Sequence, residues 1–414
     1  MFKQVSKKAL AALSLVGPGL FLIGYNIGTG SVTTMAKAGA QYGMSLFWAV
    51  ILSCIFTYIL MVAYGQLTLV TGKTALYTIK TKLRYGKPLA LYILMALILG
   101  ELLALMGIFG IVTDLLQEGF QLMNDDWEVS TMTITAVLVL ALFALLYHGR
   151  YATFEKILTG FVILMGLSFI LVFLMVKPDF GQIVKGMVPQ IPKQAGAFGL
   201  IAAMAGTTCS AAVFIIRSIV ISEKGWTIAN LQTEKRDAFV SASMMLFLSG
   251  IIMAVSAGTL HLMGLELTNT VEMIQLFQPL GGKTAAFLLI LGITGAALST
   301  VFPIILIAPW LICDYTGKER NIQSPLFRIL GGIGLLFGFG LQFIEERPPA
   351  MMIFSQAFQA CILPAVVIPV LILINRKDIM GKYTANLKKN IGIIAVLIFG
   401  LITSYFAISG LIYK

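Results

Sequence analysis

Eleven long apolar runs constrain what this chain can fold into more than any other feature of its sequence. Hydrophobic residues make up 58% of the chain and charged residues 11%, whereas a soluble domain is about 25% charged. A helix crosses the bilayer core with about 20 consecutive apolar residues. The sequence therefore predicts an all-α polytopic membrane protein of eleven transmembrane helices, and it excludes soluble enzymes and nucleic-acid-binding proteins. The runs cover residues 8–41, 44–71, 88–113, 131–148, 154–176, 195–221, 238–264, 283–313, 326–344, 350–374 and 390–412.

The basic residues between the runs predict the orientation of the chain. Most of the lysines and arginines fall on one side when the segments between runs are assigned alternately to the two sides. Because cytoplasmic loops carry the excess of Lys and Arg, we expect a multi-pass protein of the inner (plasma) membrane with a cytoplasmic N-terminus and an external C-terminus. The same bias explains the net charge of +11 without a nucleic-acid partner. We expect the first run to be kept as a helix rather than cleaved as a signal peptide.

Two of the runs are interrupted by small polar residues near their middle. The clusters are Gly28-Thr29-Gly30-Ser31 in the first run and Gly206-Thr207-Thr208-Cys209-Ser210 in the sixth. Non-helical backbone at this depth is tolerated where it lines a cavity or is buried in protein. Breaks in corresponding places of two halves are typical of inverted-repeat transporters with a central site. The alternative is close helix packing through small residues.

The chain resembles the NRAMP family of metal-ion transporters over nearly its whole length. Gly17-Pro18-Gly19 matches the early Gly-Pro-Gly of family helix 1, and SQAFQACILPAVVIPVLILINRKDIMG matches family helix 10. The resemblance implies a LeuT-type 5+5 inverted repeat plus one helix, with helices 1 and 6 broken. We expect one transporter domain over 1–414, with repeats at about 8–177 and 195–374 and the extra helix at 390–412.

The metal-binding motifs of the family are absent from this chain. Gly28 stands at the position of the family's metal-binding Asp, Ser31 at that of its Asn, and Ser210 at that of its Met. Gln356 keeps the family's helix 10 glutamine, and Arg217-Ser218 replaces its His-Ser pair. The predicted substrate site comprises Gly28, Thr29, Gly30, Ser31, Thr207, Thr208, Ser210 and Gln356.

These replacements favour an anion as substrate. The site offers hydroxyl, amide and backbone groups, and a transition metal prefers imidazole, thiolate, thioether or carboxylate donors. The half-helices that begin near Val32 and Ala211 would point their positive N-terminal ends at the centre. We therefore expect a secondary active transporter of a small anion such as bicarbonate, with no metal-ligating residues and weak transition-metal binding. The alternative is NRAMP-type transport of a divalent cation, magnesium or manganese.

Charged and hydroxyl residues in other runs are candidates for the ion pathway and for coupling. Arg217 and Lys37 would line an anion pathway, or else extend their charged ends towards the membrane surface. Glu101 aligns with a family glutamate implicated in proton coupling, and Ser299-Thr300 resembles the pair that binds sodium in sodium-coupled members of this fold. We expect coupling to sodium or protons, and no cofactor beyond a possible sodium ion. The expected partners are a small inorganic or organic ion and the lipid bilayer.

An enzyme is not expected from this sequence. The two histidines, His148 and His261, lie at the ends of separate runs, and Glu101 is the lone acid deep inside a run. These residues form no catalytic constellation.

Overall fold

In a computed structural model, the chain is a bundle of helices over the described residues 28–124, 126–148, 151–194, 196–274, 282–344 and 346–412. The first half contains seven α-helices in this part of the chain. They are α1 (Thr29–Tyr42), α2 (Phe47–Thr71), α3 (Ala75–Lys82), α4 (Gly86–Met123), α5 (Thr131–His148), α6 (Tyr151–Val176) and α7 (Phe180–Lys185).

The described residues of the second half form eight α-helices and, near their ends, short 3₁₀ turns at Ile228–Asn230, Phe337–Gln342 and Gly381–Tyr383. The α-helices are α8 (Ala197–Thr208), α9 (Ala211–Glu223), α10 (Leu231–Gly258), α11 (Gly282–Thr316), α12 (Pro325–Leu336), α13 (Pro348–Asn375), α14 (Lys377–Met380) and α15 (Leu387–Ile412). The described part of the chain has no β-strand.

Nine helical segments of the described residues are long and apolar enough to cross a membrane. They coincide with nine of the predicted runs, and the run at 154–176 lies within α6. The all-α class is therefore confirmed. The first run begins outside the described residues, as does Gly17-Pro18-Gly19, so the count of eleven, the retained first helix and the repeat boundaries stay predictions.

The predicted break in the sixth run is present. Helix α8 ends at Thr208, and α9 begins at Ala211 after Cys209 and Ser210. Ser210 has extended backbone angles, φ −66° and ψ 131°, as a residue that precedes a helix does. In the first run, α1 begins at Thr29, immediately after Gly28 and inside the predicted Gly/Ser cluster. Both polar clusters therefore lie at a helix end.

The break between α8 and α9 and the start of α1 lie at the centre of the bundle. Helix α13 packs against α4 and α8, α10 packs against α1, and α11 packs against α4. Residues 197–223 are almost entirely buried, whereas α5, α12 and α15 turn apolar side chains outward, as lipid-facing helices do. This arrangement places the ends of α1, α8 and α9 against the middle of α4, α11 and α13.

Candidate functional site

A small cavity of about 30 Å³ lies where the two polar clusters meet. Helices α1, α4, α8, α11 and α13 contribute its walls. The lining residues are Gly28, Gly30, Glu101, Ala104, Ile108, Thr207, Ser210, Thr300, Ile304, Met352, Gln356 and Gln359. A buried water needs roughly 10–15 Å³ of such space, so the cavity holds about two water-sized groups.

The two polar clusters contact each other directly. The hydroxyl oxygens of Ser31 and Thr207 are 3.0 Å apart and share a hydrogen bond. Gly30 lets α13 approach closely, because a Cβ atom there would lie 2.7 Å from Nε2 of Gln356. Gly206 has the same effect on α8, since its Cβ would lie 1.8 Å from the backbone oxygen of Gln356. Gly30 and Gly206 thus allow the Gln356 amide to lie where the two polar clusters meet.

Glu101 reaches this cavity from α4 and is tied to α13 and to the second break. Gln359 Nε2 donates to Glu101 Oε1 at 2.6 Å, and Gln359 Oε1 accepts from Ser210 Oγ at 3.1 Å. Glu101 is only 3% exposed. Glu101 is predicted as a coupling-ion residue and not as a substrate residue, and it lies in the cavity that five of the predicted substrate residues line.

Helix α13 supplies two site residues that the sequence analysis missed, Met352 and Gln359. Gln356 Nε2 donates to Met352 Sδ at 3.6 Å, so the thioether and the amide lie side by side. Residues 352, 356 and 359 follow i, i+4, i+7 spacing, which places them on one helix face. Extending the helical face on either side of Gln356 would have identified both residues from the sequence.

The predicted sodium pair separates into two environments. Thr300 lines the cavity, whereas Ser299 is half-buried and is not one of its lining residues. Both hydroxyls donate to the carbonyl oxygen of Ala296, Ser299 at 2.6 Å and Thr300 at 2.9 Å. Gly28 packs so closely on Thr300 that a Cβ atom at Gly28 would lie 2.1 Å from Thr300 Oγ1. The hydroxyl oxygens keep lone pairs that could bind a cation.

Thr29 and Thr208 are buried next to the cavity without lining it. Neither hydroxyl has a hydrogen-bond partner in the described part of the chain. The carbonyl oxygen of Thr208 accepts from Thr57 Oγ1 at 2.9 Å, which ties the end of α8 to α2. Of the eight predicted substrate residues, Gly28, Gly30, Thr207, Ser210 and Gln356 line the cavity, and Ser31 bonds to one of them.

The two basic residues assigned to an anion pathway are placed elsewhere. Arg217 is fully buried and forms ion pairs with Glu234 at 2.8 Å and Asp237 at 3.0 Å. These two carboxylates of α10 neutralise its charge, so Arg217 offers no available positive charge to an anion. Lys37 is half-buried on α1 and does not line the cavity.

The electrostatic field at the break between α8 and α9 also differs from the positive field that the sequence predicts. The N-terminal end of α9 carries a positive partial charge, but α8 ends at the same break with the opposite partial charge on its last carbonyl groups. Glu101 adds a carboxylate to the cavity. The described residues contain no group of three or more His, Cys, Asp or Glu side chains that could hold a metal. The cavity therefore combines one carboxylate with hydroxyl, amide and thioether donors.

An interrupted membrane helix whose break meets the start of α1 at a small central cavity is typical of a multi-pass membrane transporter with the LeuT-type fold. Residues 19–409 match the family Nramp, described as natural resistance-associated macrophage protein-like, and the chain belongs to that family. The resemblance noted in the sequence is thereby confirmed.

Named relatives and solved structures agree with this assignment. The chain is 25% identical over 420 residues to the divalent metal cation transporter MntH of Nostoc sp., covering 94% of this chain and 89% of the relative. It is 23% identical over 375 residues to MntH of Pectobacterium carotovorum, covering 89% and 87%. The Eremococcus coleocola manganese transporter has the same fold at 13% identity, with a TM-score of 0.71 over 97% of this chain and 88% of that one. MhsT in complex with L-phenylalanine matches at a TM-score of 0.62 and 14% identity, covering 95% and 98%.

The prediction of bicarbonate transport is wrong. The named relatives of this family are divalent metal cation transporters. The physical reason is that the hypothesis counted only the two clusters and the helix N-termini. It placed Glu101 outside the site, left Arg217 without its carboxylates and overlooked Met352.

Proposed function

We propose that this protein is a secondary active transporter of a divalent metal cation and that the central cavity is its substrate site. The observation that carries the proposal is the Glu101 carboxylate in that cavity. Dehydrating a divalent ion is costly unless anionic or strongly polar ligands replace its water. Glu101 supplies the charge, and Gln356, Gln359 and the hydroxyls of Thr207 and Ser210 supply further oxygen ligands.

Manganese is the first substrate we propose. Carboxylate, amide and hydroxyl oxygens suit magnesium, calcium and manganese, whereas a thioether favours softer ions. Met352 Sδ adds such a donor to a set made mostly of oxygens. Magnesium releases its water reluctantly and usually keeps several water molecules. A cavity of about 30 Å³ has room for an ion with about one water. Manganese fits both the donors and the space.

We propose that the transporter lies in the plasma membrane with its N-terminus in the cytoplasm. We also propose that a proton is the coupled ion. Glu101 is the one titratable side chain that lines the cavity among the described residues, so a proton and the metal would bind to the same carboxylate. Sodium at Ser299 and Thr300 is the competing arrangement, because Thr300 lines the cavity next to Gly28 at the start of α1 and Ser299 precedes it in the chain. The two arrangements predict different effects of Glu101→Gln and of Ser299→Ala with Thr300→Ala.

Uptake of radioactive manganese into proteoliposomes tests the proposal. We expect concentrative uptake driven by a proton gradient, loss of that uptake in Glu101→Gln, and little change in Ser299→Ala with Thr300→Ala. Glu118→Gln is the matched control, since Glu118 lies on the same helix, about 25 Å along its axis, and does not line the cavity. Unchanged uptake in Glu101→Gln would overturn the assignment of the site. Uptake that depends on a sodium gradient would instead support sodium as the coupled ion, bound at Ser299 and Thr300.

A further inference from the structure

A second, larger cavity lies at one end of the bundle, away from the substrate site. Its volume is about 320 Å³, within the range of roughly 300–1,000 Å³ that small-molecule sites occupy. Helices α2, α10, α13 and α15 surround it. It lies where α2 and α13 end and where α10 and α15 begin. The orientation predicted from the basic residues places this end on the cytoplasmic side.

The walls of this cavity are mostly apolar, and its polar residues are mostly lysines. Three lysines take part in the lining, Lys235 from α10 and Lys388 and Lys389 from α15, and no acidic side chain is among the lining residues. The apolar wall includes Ile59, Val62, Ala63, Ile374 and Ile393. An apolar cleft with several cations at one end has the amphipathic character of a phospholipid.

The three lysines differ in how they are held. Lys389 Nζ donates to Gln66 Oε1 at 2.6 Å, and Gln66 Nε2 donates to the carbonyl oxygen of Tyr383. In the part of the chain that the structure describes, the side chains of Lys235 and Lys388 form no hydrogen bond or ion pair. Glu234 acts on Lys235 electrostatically, but its carboxylate is bonded to Arg217. No acidic side chain of the described residues therefore lines the cleft beside the three cations.

The cleft continues into the lipid-facing surface. Tyr58, one of its lining residues, contacts the ring of Phe239 edge-on, with centroids 6.0 Å apart. Phe239 is 61% exposed, and Ile391 on α15 is 58% exposed. An acyl chain that leaves the cleft would meet apolar side chains rather than water.

We propose that this cleft binds one anionic phospholipid of the inner leaflet. Its phosphate would lie among Lys235, Lys388 and Lys389, and part of an acyl chain would lie against Ile59 and Ile393. Lysines near a membrane end also extend into the headgroup layer without forming a site. A cleft of this volume between the helices favours one bound lipid over a nonspecific attraction between lysines and the headgroup layer.

Native mass spectrometry of the purified chain, titrated with phosphatidylglycerol or phosphatidylcholine, tests this proposal. We expect one tightly retained phosphatidylglycerol per chain and no retained phosphatidylcholine. Each lysine near an anionic headgroup contributes about fivefold to affinity, so replacing all three with glutamine should weaken retention by roughly a hundredfold. The matched control replaces Lys73, Lys82 and Lys87, which are exposed at the same end and do not line the cleft.

A cavity-filling variant tests the cleft without changing its charge. A Cβ atom on Gly392 would lie 3.4 Å from Ile59 Cδ1, an ordinary contact, so Gly392→Leu places its remaining carbons in the cleft. Leucine also favours a helix more than glycine, so folding should be maintained. We expect Gly392→Leu to lose the lipid and Gly392→Ala to keep it. Retention by Gly392→Leu, or equal losses in the two lysine triple variants, would overturn the proposal. Displacement of phosphatidylglycerol by millimolar inorganic phosphate would also overturn it.

Discussion

Adding a carboxylate at Gly28 should strengthen metal binding if the central cavity holds a divalent cation. Gly28 lines the cavity and touches Thr300, so Gly28→Asp alone would force its Cβ atom to 2.1 Å from Thr300 Oγ1. Thr300→Ala removes that oxygen and the methyl carbon at 2.9 Å, and leaves one carbon at 3.0 Å. The double variant, Gly28→Asp with Thr300→Ala, is therefore the one that can accommodate the new side chain.

The expected gain follows from simple electrostatics. Two unit charges 4 Å apart interact by about 4 kcal/mol at an effective dielectric constant of 20, and a divalent ion doubles this value. Dehydration of the new carboxylate offsets part of the gain. If about half is retained, manganese should bind about a thousandfold more tightly.

Isothermal calorimetry with manganese measures this change on the purified double variant and on Thr300→Ala alone. The single variant Gly28→Asp should show a lower melting temperature than the double variant, because the clash with Thr300 remains. A folded double variant that binds manganese no better than Thr300→Ala would refute a cation site at Gly28. Tighter binding of an anion by the double variant would contradict the charge argument itself.

Three further predictions test the packing of α8 on α13, the buried ion pairs of Arg217 and the thioether of Met352. Gly206→Ala should destabilise the protein by about 1–3 kcal/mol or more, because its Cβ would overlap a backbone carbonyl of α13. Thermal unfolding measures this loss. The control Gly199→Ala, which has open space at its Cβ, should cause no loss of stability. Arg217→Met should cost about 3–5 kcal/mol in unfolding free energy, because it leaves two buried carboxylates without their cation; an unchanged melting temperature would contradict the buried ion pairs. Met352→Leu should reduce the preference for manganese over magnesium in competition uptake, whereas Met351→Leu, next to it and outside the cavity, should not.

The membrane fold followed from the sequence because its causes are local. A run of about 20 apolar residues needs no tertiary information to be identified as a membrane span. The break in the sixth run was equally visible, since Gly, Ser and Thr weaken a helix wherever they cluster. The position of Gln356 came from the resemblance of α13 to family helix 10. Together these features predicted a site at the junction of the two clusters, and the structure has a cavity there.

The charge of the site was decided only by the tertiary structure. Glu101 is remote in sequence from both clusters, and it enters the cavity because α4 packs against α13, where Gln359 binds it. The sequence alone suggested that Arg217 is a functional cation, whereas the structure shows it paired with two carboxylates of α10. Electrostatic interactions depend on distance in space, and a sequence pattern reports distance along the chain. The lengths of the apolar runs therefore determined which segments can span the membrane, whereas packing between distant helices determined which charged groups line the cavity.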